Sequence, residues 1–422
     1  MIATGSTAAR EADDTGVFWR EFATRSYARE PFESDKPSGG LVVSPDEMFR
    51  LLLRSCADRG SGPRDPQVRF HIGQHQVIAD LDDYLPTATD DSLDGYLARL
   101  EAQLEGQPYL LAVQHMQAAS RWIWKKVASF LAGLYEATGI LPGNVDVEAF
   151  VGQYPNTVPG IHRERSGVFV SMVQGSKDML VWPPDAEDLP IGTSRYEQAR
   201  ASARHMRCEP GRLVYWPAEH WHVGECPSEP TAGIHIAVLE RPLRLEELVG
   251  DTLRGLGAEL GDGGTLAWSA TTAHDLELPK QYDTAAQTLV DAYGDPVAVR
   301  EKLVADWLRR RTALGFTALP PRYPEFDLSE NDFVERDGVH PIMLVSRDAT
   351  TCLCAADGRL ARMVSAPALT RLIERINSGE PVSVGATLRL SATIPERELL
   401  LQALSLLAAW RTVKVIKKSP SH

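Results

Sequence analysis

The sequence predicts an α+β protein whose first half is an antiparallel barrel or two-sheet sandwich, followed by a mostly helical half. Three observations predict it. Short apolar runs with period-two alternation recur up to GIHIAVL (Gly233–Leu239), as half-buried strands require. Tight glycine turns such as Gln174-Gly175-Ser176 and one long polar crossing, Asp185–Glu209, connect them. After about Pro242 the apolar spacing becomes helical.

A chain of 422 residues is too long for one comfortable core, so two or more domains are expected. The formal charge of -13 repels polyanions, and no nucleic-acid partner is expected. Cys56, Cys208, Cys226, Cys352 and Cys354 form no paired framework and suit a reducing cytoplasm. Cys352 and Cys354 are only C-x-C and read as strand residues. The N-terminal STAAREADDTG has no basic segment followed by an apolar run, so no secretory signal is expected. No apolar stretch reaches the roughly 20 residues of a membrane span.

In order, residues 1–16 are expected to be a disordered tail, and Val17–Phe32 a helix leading into a strand. Ser44-Pro45-Asp46-Glu47 opens a helix with a capping box and proline in the first turn. Gln67–Asp80 gives one or two strands, with His71 and His75 as surface or packing residues. Asp91–Leu104 is helical, Gln107–Gln114 a strand, and Ser120–Thr138 an amphipathic helix with Trp122, Ile123, Val127 and Phe130 facing the core. Val145–Pro155 and the two halves of GVFVSMVQGSKDMLVWPP are strands. The polar crossing carries a helix at Arg195–Ala203, and Gly211–Trp216 is a strand. Helices are expected at Leu243–Leu256, Tyr282–Val290 and Val297–Arg311, the last with a basic end that complements the helix dipole. A third unit starts near Asp337, with a hairpin turn at Asp357-Gly358 and a helix capped by Ser365.

The chemistry concentrates between Tyr154 and His222. His162 and Glu164 alternate along an extended segment, so both point to one face and can share a metal, while Arg163 points away. Two imidazoles and one carboxylate on one face are the ligand set of mononuclear non-haem iron with open positions. The third ligand comes from His220 or His222, which share a face in an extended chain, so spacing does not choose between them. Lys177 opens the return strand, where a compact cation can hold the distal carboxylate of a dicarboxylate cosubstrate.

These motifs resemble the JmjC/cupin-like Fe(II) and 2-oxoglutarate-dependent oxygenases, in particular the protein-hydroxylase and ribosomal-oxygenase branch. The resemblance rests on His162-Arg163-Glu164, Gly175-Ser176-Lys177, Leu180–Pro184, and Pro210-Gly211 through Tyr215, Pro217, Trp221 and His222, and covers about residues 17–240. It implies a double-stranded β-helix (cupin/jelly-roll) core. It places the iron on His162, Glu164 and His222, and the 2-oxoglutarate on Lys177. Thr157 and Asn156 take the place of the family's cosubstrate-holding Thr or Asn, in a loop of different length. Tyr154 and His235 are further pocket candidates. The implied layout is an oxygenase domain at 17–242, a helical dimerisation segment at 243–316 and a winged-helix-like domain at 317–422, in a cytoplasmic homodimer.

The expected function is hydroxylation of a peptide or protein side chain with Fe(II), 2-oxoglutarate and O2. The alternatives are a hydroxylase of a free amino acid or peptidic natural-product intermediate, and a non-catalytic cupin-like binding protein.

Overall fold

The computed structural model describes residues 16–35, 41–139, 143–158, 160–192, 196–240, 250, 287, 290–291, 293–323, 328–389, 391 and 393–417. The tail expected at 1–16 and the helices expected at 243–256 and 282–290 fall largely outside these residues. The chain forms two compact units, residues 1–242 with 313–324, and residues 243–312 with 325–422. Among the described residues, no helix is long and apolar enough to cross a membrane.

The first unit is built on ten strands: β1 (Phe32–Ser34), β2 (Gln67–Ile72), β3 (His75–Val77), β4 (Tyr109–Gln114), β5 (Val145–Tyr154), β6 (Gly167–Gln174), β7 (Lys177–Trp182), β8 (Arg204–Cys208), β9 (Leu213–Trp216) and β10 (Trp221–Val238). One layer runs β1-β9-β6-β10-β5-β4-β2-β3. All of its pairings are antiparallel. The other layer is β8-β7 with the first half of β10. β10 belongs to both. Its Trp221–Glu225 half pairs with β7, and its Thr231–Val238 half lies between β5 and β6. The register breaks between Cys226 and Thr231, where Pro227 and Pro230 withhold donors from the ladder. A strand that changes layer at a bend is how two sheets close into a roll. The α+β class with a jelly-roll core is therefore as expected.

Helices pack on the outside of the long layer. The helix Pro45–Ala57 starts with the expected capping box: Ser44 Oγ accepts from Glu47 N at 3.2 Å and Glu47 Oε2 accepts from Ser44 N at 2.9 Å. Helix 16–25 delivers Trp19 and Phe22 onto Phe130, Phe169 and Tyr215, with ring centroids 4.9–5.5 Å apart in the closest pairs. Gly133 makes room for it, since a Cβ there would lie 2.2 Å from Trp19 Cδ1.

Three local expectations are corrected. In Arg121–Thr138, Trp124 is buried but Trp122 is 37% exposed, with the Lys126 ammonium 4.8 Å over its ring. The helical periodicity placed Trp122 at the edge of the apolar stripe, where a cation covers it as well as a core would. The polar crossing holds only a one-turn helix, Glu197–Arg200, and then the strand β8. RHMRC was unreadable as a strand because one face is solvated while Met206 and Cys208 enter the core. The helix Pro367–Asn377 is preceded by Ala366, not Ser365, and has no side-chain cap.

In the second unit, strands Met343–Ser346, Thr351–Ala356 and Arg359–Val364 form one antiparallel sheet. Leu353 and Ala355 of that sheet pack with Leu308 of the helix Pro296–Thr312. Phe333–Arg336 pairs with Val382–Ser383 and Val413–Ile416 in a second sheet. The helices Pro367–Asn377 and Ile394–Ala409 share one core, in which Leu372, Ile376, Leu404 and Leu407 are buried.

Candidate active site

The site grows from a two-residue bridge. His162 pairs antiparallel with His222, His162 N donating to His222 O at 3.1 Å and His222 N to His162 O at 2.8 Å. This adds the segment after β5 to the edge of the short layer and brings the two imidazoles to 4.3 Å between centroids. Each ring is oriented by its own chain. His162 Nδ1 lies 2.9 Å from Gly160 O, and His222 Nδ1 lies 3.0 Å from His220 O. A carbonyl only accepts, so Nδ1 carries the proton and each Nε2 keeps a lone pair for a metal.

Glu164 Oε1 stands 3.7 Å from His222 Nε2, and Glu164 O accepts from Glu219 N at 2.8 Å. Arg163 points away, as alternation requires, and lies 4.6 Å over the Trp221 ring. Among the described residues no three His, Cys, Asp or Glu side chains close on one metal-sized point. The Glu164 side chain is 40% exposed, no hydrogen bond to its carboxylate is found among those residues, and it is the arm with freedom to swing. The donor chemistry nonetheless fits Fe(II): two imidazole lone pairs and one carboxylate opening on a shared cavity.

Burial governs the charges. It pushes His222 down to about 3, with His162 adding to the effect, and lowers His162 as well. Both rings are neutral, the ligating form. Burial also raises the Glu164 carboxyl to about 8, helped by the Glu148 carboxylate. A cation would reverse that shift by stabilising the ionised form.

The cavity has a volume of about 430 Å³ and contains His162, Glu164, His222 and Lys177 in its wall. Lys177 is 2% exposed, at the start of β7. Its Nζ lies 3.3 Å from His235 Nε2, 4.9 Å over the Phe150 ring and 5.9 Å over the Tyr154 ring. No carboxylate pairs with it among the described residues. Burial lowers its pKa, so an anion entering the cavity would meet a poorly compensated ammonium. His235, fully enclosed and held neutral by burial and by Lys177, lies opposite Glu148 across the β5–β10 ladder.

The remaining candidates divide. Thr157 lines the cavity, and its Oγ1 accepts from Gly224 N at 3.3 Å. Asn156 is buried behind the wall, donating from Nδ2 to Thr157 O at 2.8 Å. Tyr154 packs with Leu110 and Cys226 behind Lys177. His220 lies outside the cavity wall, its Nδ1 3.4 Å from Ala218 O.

Sequence reasoning missed the wall beyond Lys177. Glu148 and Phe150 on β5, Gln114 on β4, and Arg69 and His71 on β2 all line the cavity. His71, read as a surface or packing residue, faces the pocket. A signal for β5 was present: Asp146 and Glu148 share one face of a strand otherwise made of buried residues, and carboxylates on a buried face need a cavity or a partner.

No protein-family profile and no curated protein sequence matches the chain. Solved structures do match. A structure of E. coli YcfD aligns over 94% of this chain and 98% of its own, with a TM-score of 0.50 at 14% identity. A second, of YcfD as a ribosomal oxygenase from Escherichia coli, covers 94% and 97%, again with a TM-score of 0.50 at 14% identity. A third, of that protein with cobalt and 2-oxoglutarate, covers 94% and 98%, with a TM-score of 0.49 at 14% identity. The first two establish that this chain has the fold of that oxygenase.

Proposed function

We propose that the protein is an Fe(II)- and 2-oxoglutarate-dependent oxygenase that hydroxylates a side chain of a peptide or protein. The observation that carries this reading is Lys177, a buried ammonium with no carboxylate partner among the described residues, in one cavity with two bare imidazole nitrogens and a carboxylate. A structural lysine would be paired or solvated. A lysine kept for a ligand is neither.

In this reading His162, Glu164 and His222 would hold Fe(II), which would supply the oxygen chemistry. The distal carboxylate of 2-oxoglutarate pairs with Lys177, whose position is fixed by the Phe150 and Tyr154 rings and by His235 Nε2. Thr157 holds the neighbouring Gly224 backbone in place. With both bound, the metal and cosubstrate supply the oxidising power: 2-oxoglutarate, O2 and a substrate C–H become succinate, CO2 and C–OH, which balances without a further reductant. Phe150, Met179 and Trp216 wall the cavity and limit water at the reacting carbon. The fold shared with a ribosomal oxygenase supports a protein substrate. Cytoplasmic location and a homodimer formed through residues 243–316 belong to the same proposal.

The test is direct. Purified protein with Fe(II) and 2-oxoglutarate forms succinate, slowly without substrate and faster with it, and Lys177→Ala abolishes both. Absence of succinate together with absence of 2-oxoglutarate binding overturns the reading. Size-exclusion chromatography of the whole chain tests the dimer.

A further inference from the structure

The cavity does not end at the cosubstrate lysine. It runs outward across the long layer, from His235 on β10 to Glu148 on β5, then to Gln114 and Ala112 on β4, and to Arg69 and His71 on β2. The registers fix this row. His235 faces Glu148, and Phe150 faces Ala112, which faces Arg69. Three strand spacings separate β10 from β2, roughly 14 Å. Lys177 Nζ reaches the β10–β5 end of this row, at His235 and Phe150, whereas Arg69 and His71 line its β2 end.

That end is built to hold a negative group. Arg69 and His71 alternate on β2 and so share the cavity face. His71 lines the cavity, and its Nδ1, shielded from solvent, has no hydrogen-bond partner among the described residues. A shielded polar atom left unpaired favours a rearrangement or a ligand that supplies a partner. Arg69 has one weak contact, from Nη2 to Gln67 Oε1 at 3.5 Å, and no carboxylate pairs with it among the described residues. Arg69 is solvent-exposed, so its guanidinium is open to an incoming group. Ala112, its partner on β4, adds only a methyl group to the cavity wall there. The guanidinium fork matches the two oxygens of a carboxylate.

We propose that Arg69 and His71 form the substrate's anion subsite, and that the substrate carries a carboxylate on the solvent side of the carbon that reacts. The inference rests on the oxygenase reading for the position of the reacting carbon. The carboxylate comes either from an acidic residue next to the target residue in a peptide or from the α-carboxylate of a free amino acid. Both present the same chemistry to the guanidinium.

Two probe sets distinguish these sources. One is acetylated, amidated pentapeptides with Asp beside the tested residue, each matched to its Asn counterpart. The other is free L-amino acids matched to their carboxamides. Each probe is titrated calorimetrically into the full-length Co(II)-loaded protein, with and without 2-oxoglutarate. The carboxylate member of one set binds about ten-fold more tightly than its neutral match, as expected for a charge-assisted hydrogen bond. Arg69→Gln removes that preference and leaves 2-oxoglutarate affinity unchanged. The proposal is overturned if neither set prefers the carboxylate, if the preference survives Arg69→Gln, or if Arg69→Gln weakens 2-oxoglutarate to the same degree. Loss of 2-oxoglutarate binding in the wild-type protein would instead overturn the oxygenase reading, since the carboxylate preference is measured separately.

Discussion

Lys177 occupies its position because residue 224 has no side chain: a Cβ on Gly224 would lie 2.4 Å from Lys177 Cε and 3.0 Å from Nζ. A residue of β10, the strand paired with β7, thus determines whether the ammonium enters the cavity. Gly224→Ala pushes the lysine stem aside while leaving His162, Glu164 and His222 in place. Calorimetric 2-oxoglutarate affinity is expected to fall by at least about ten-fold, the cost of one charge-assisted contact, with Co(II) affinity little changed. Equal loss of both would show that the strand itself has been disrupted.

His222, and not His220, is the proposed third metal ligand. His222 Nδ1 is satisfied by the backbone carbonyl of His220, so removing the His220 side chain leaves that hydrogen bond intact. His222→Ala is expected to lower Co(II) affinity by more than about 100-fold, and His220→Ala by far less. Titration followed by the visible absorption of Co(II) reads both. The reverse order would reassign the ligand.

Buried carboxyls contribute to the pH dependence of the metal-free protein. Burial raises Glu240 to about 7, against the opposing pull of hydrogen bonds from Tyr215 and the Ala218 amide. Glu148 is raised to about 7, mainly by burial. Each raised carboxyl keeps its proton above the unfolded value of 4.5, so the stability it contributes is lost as pH rises through its folded value. The buried rings of His162, His222 and His235, lowered below 6.5, contribute the opposite slope in the acidic part of that range, so the carboxyl contribution is read from a variant compared with wild type. Glu240→Gln removes one contribution. Its stability relative to wild type should rise by up to about 3 kcal/mol between pH 5 and pH 8, read from urea unfolding. A pH-independent difference would show that Glu240 does not titrate in this range.

The aromatic cluster under helix 16–25 carries much of the first unit's packing. Trp19 is 1% exposed and sits against Phe130 at 5.1 Å. Trp19→Ala is expected to cost about 3–5 kcal/mol, and Gly133→Ala about 1–3 kcal/mol through overpacking against the same indole. Urea midpoints of the two variants check this, and the double variant should cost less than the sum, because the alanine methyl fills part of the cavity left by the indole.

The legible parts of this protein were those encoded by local patterns. Alternation placed β5, β6 and β7. The capping box placed the start of the helix at Pro45, and the His162-Arg163-Glu164 alternation put two donors on one face and Arg163 on the other. Those features depend on neighbours a few residues away, which the sequence contains. Tertiary structure decided what depends on register between distant strands. The juxtaposition of the His162 and His222 rings follows from the bridge between them, which supports the His222 that the resemblance had implied. The entry of Lys177 follows from Gly224 on the paired strand β10. The outer wall of Glu148, Gln114, Arg69 and His71 exists because β2, β4 and β5 align in one row, although β2 and β5 are far apart in the chain. A side chain's own sequence fixes which face of a strand it occupies, but only the pairing of strands fixes what that face looks onto.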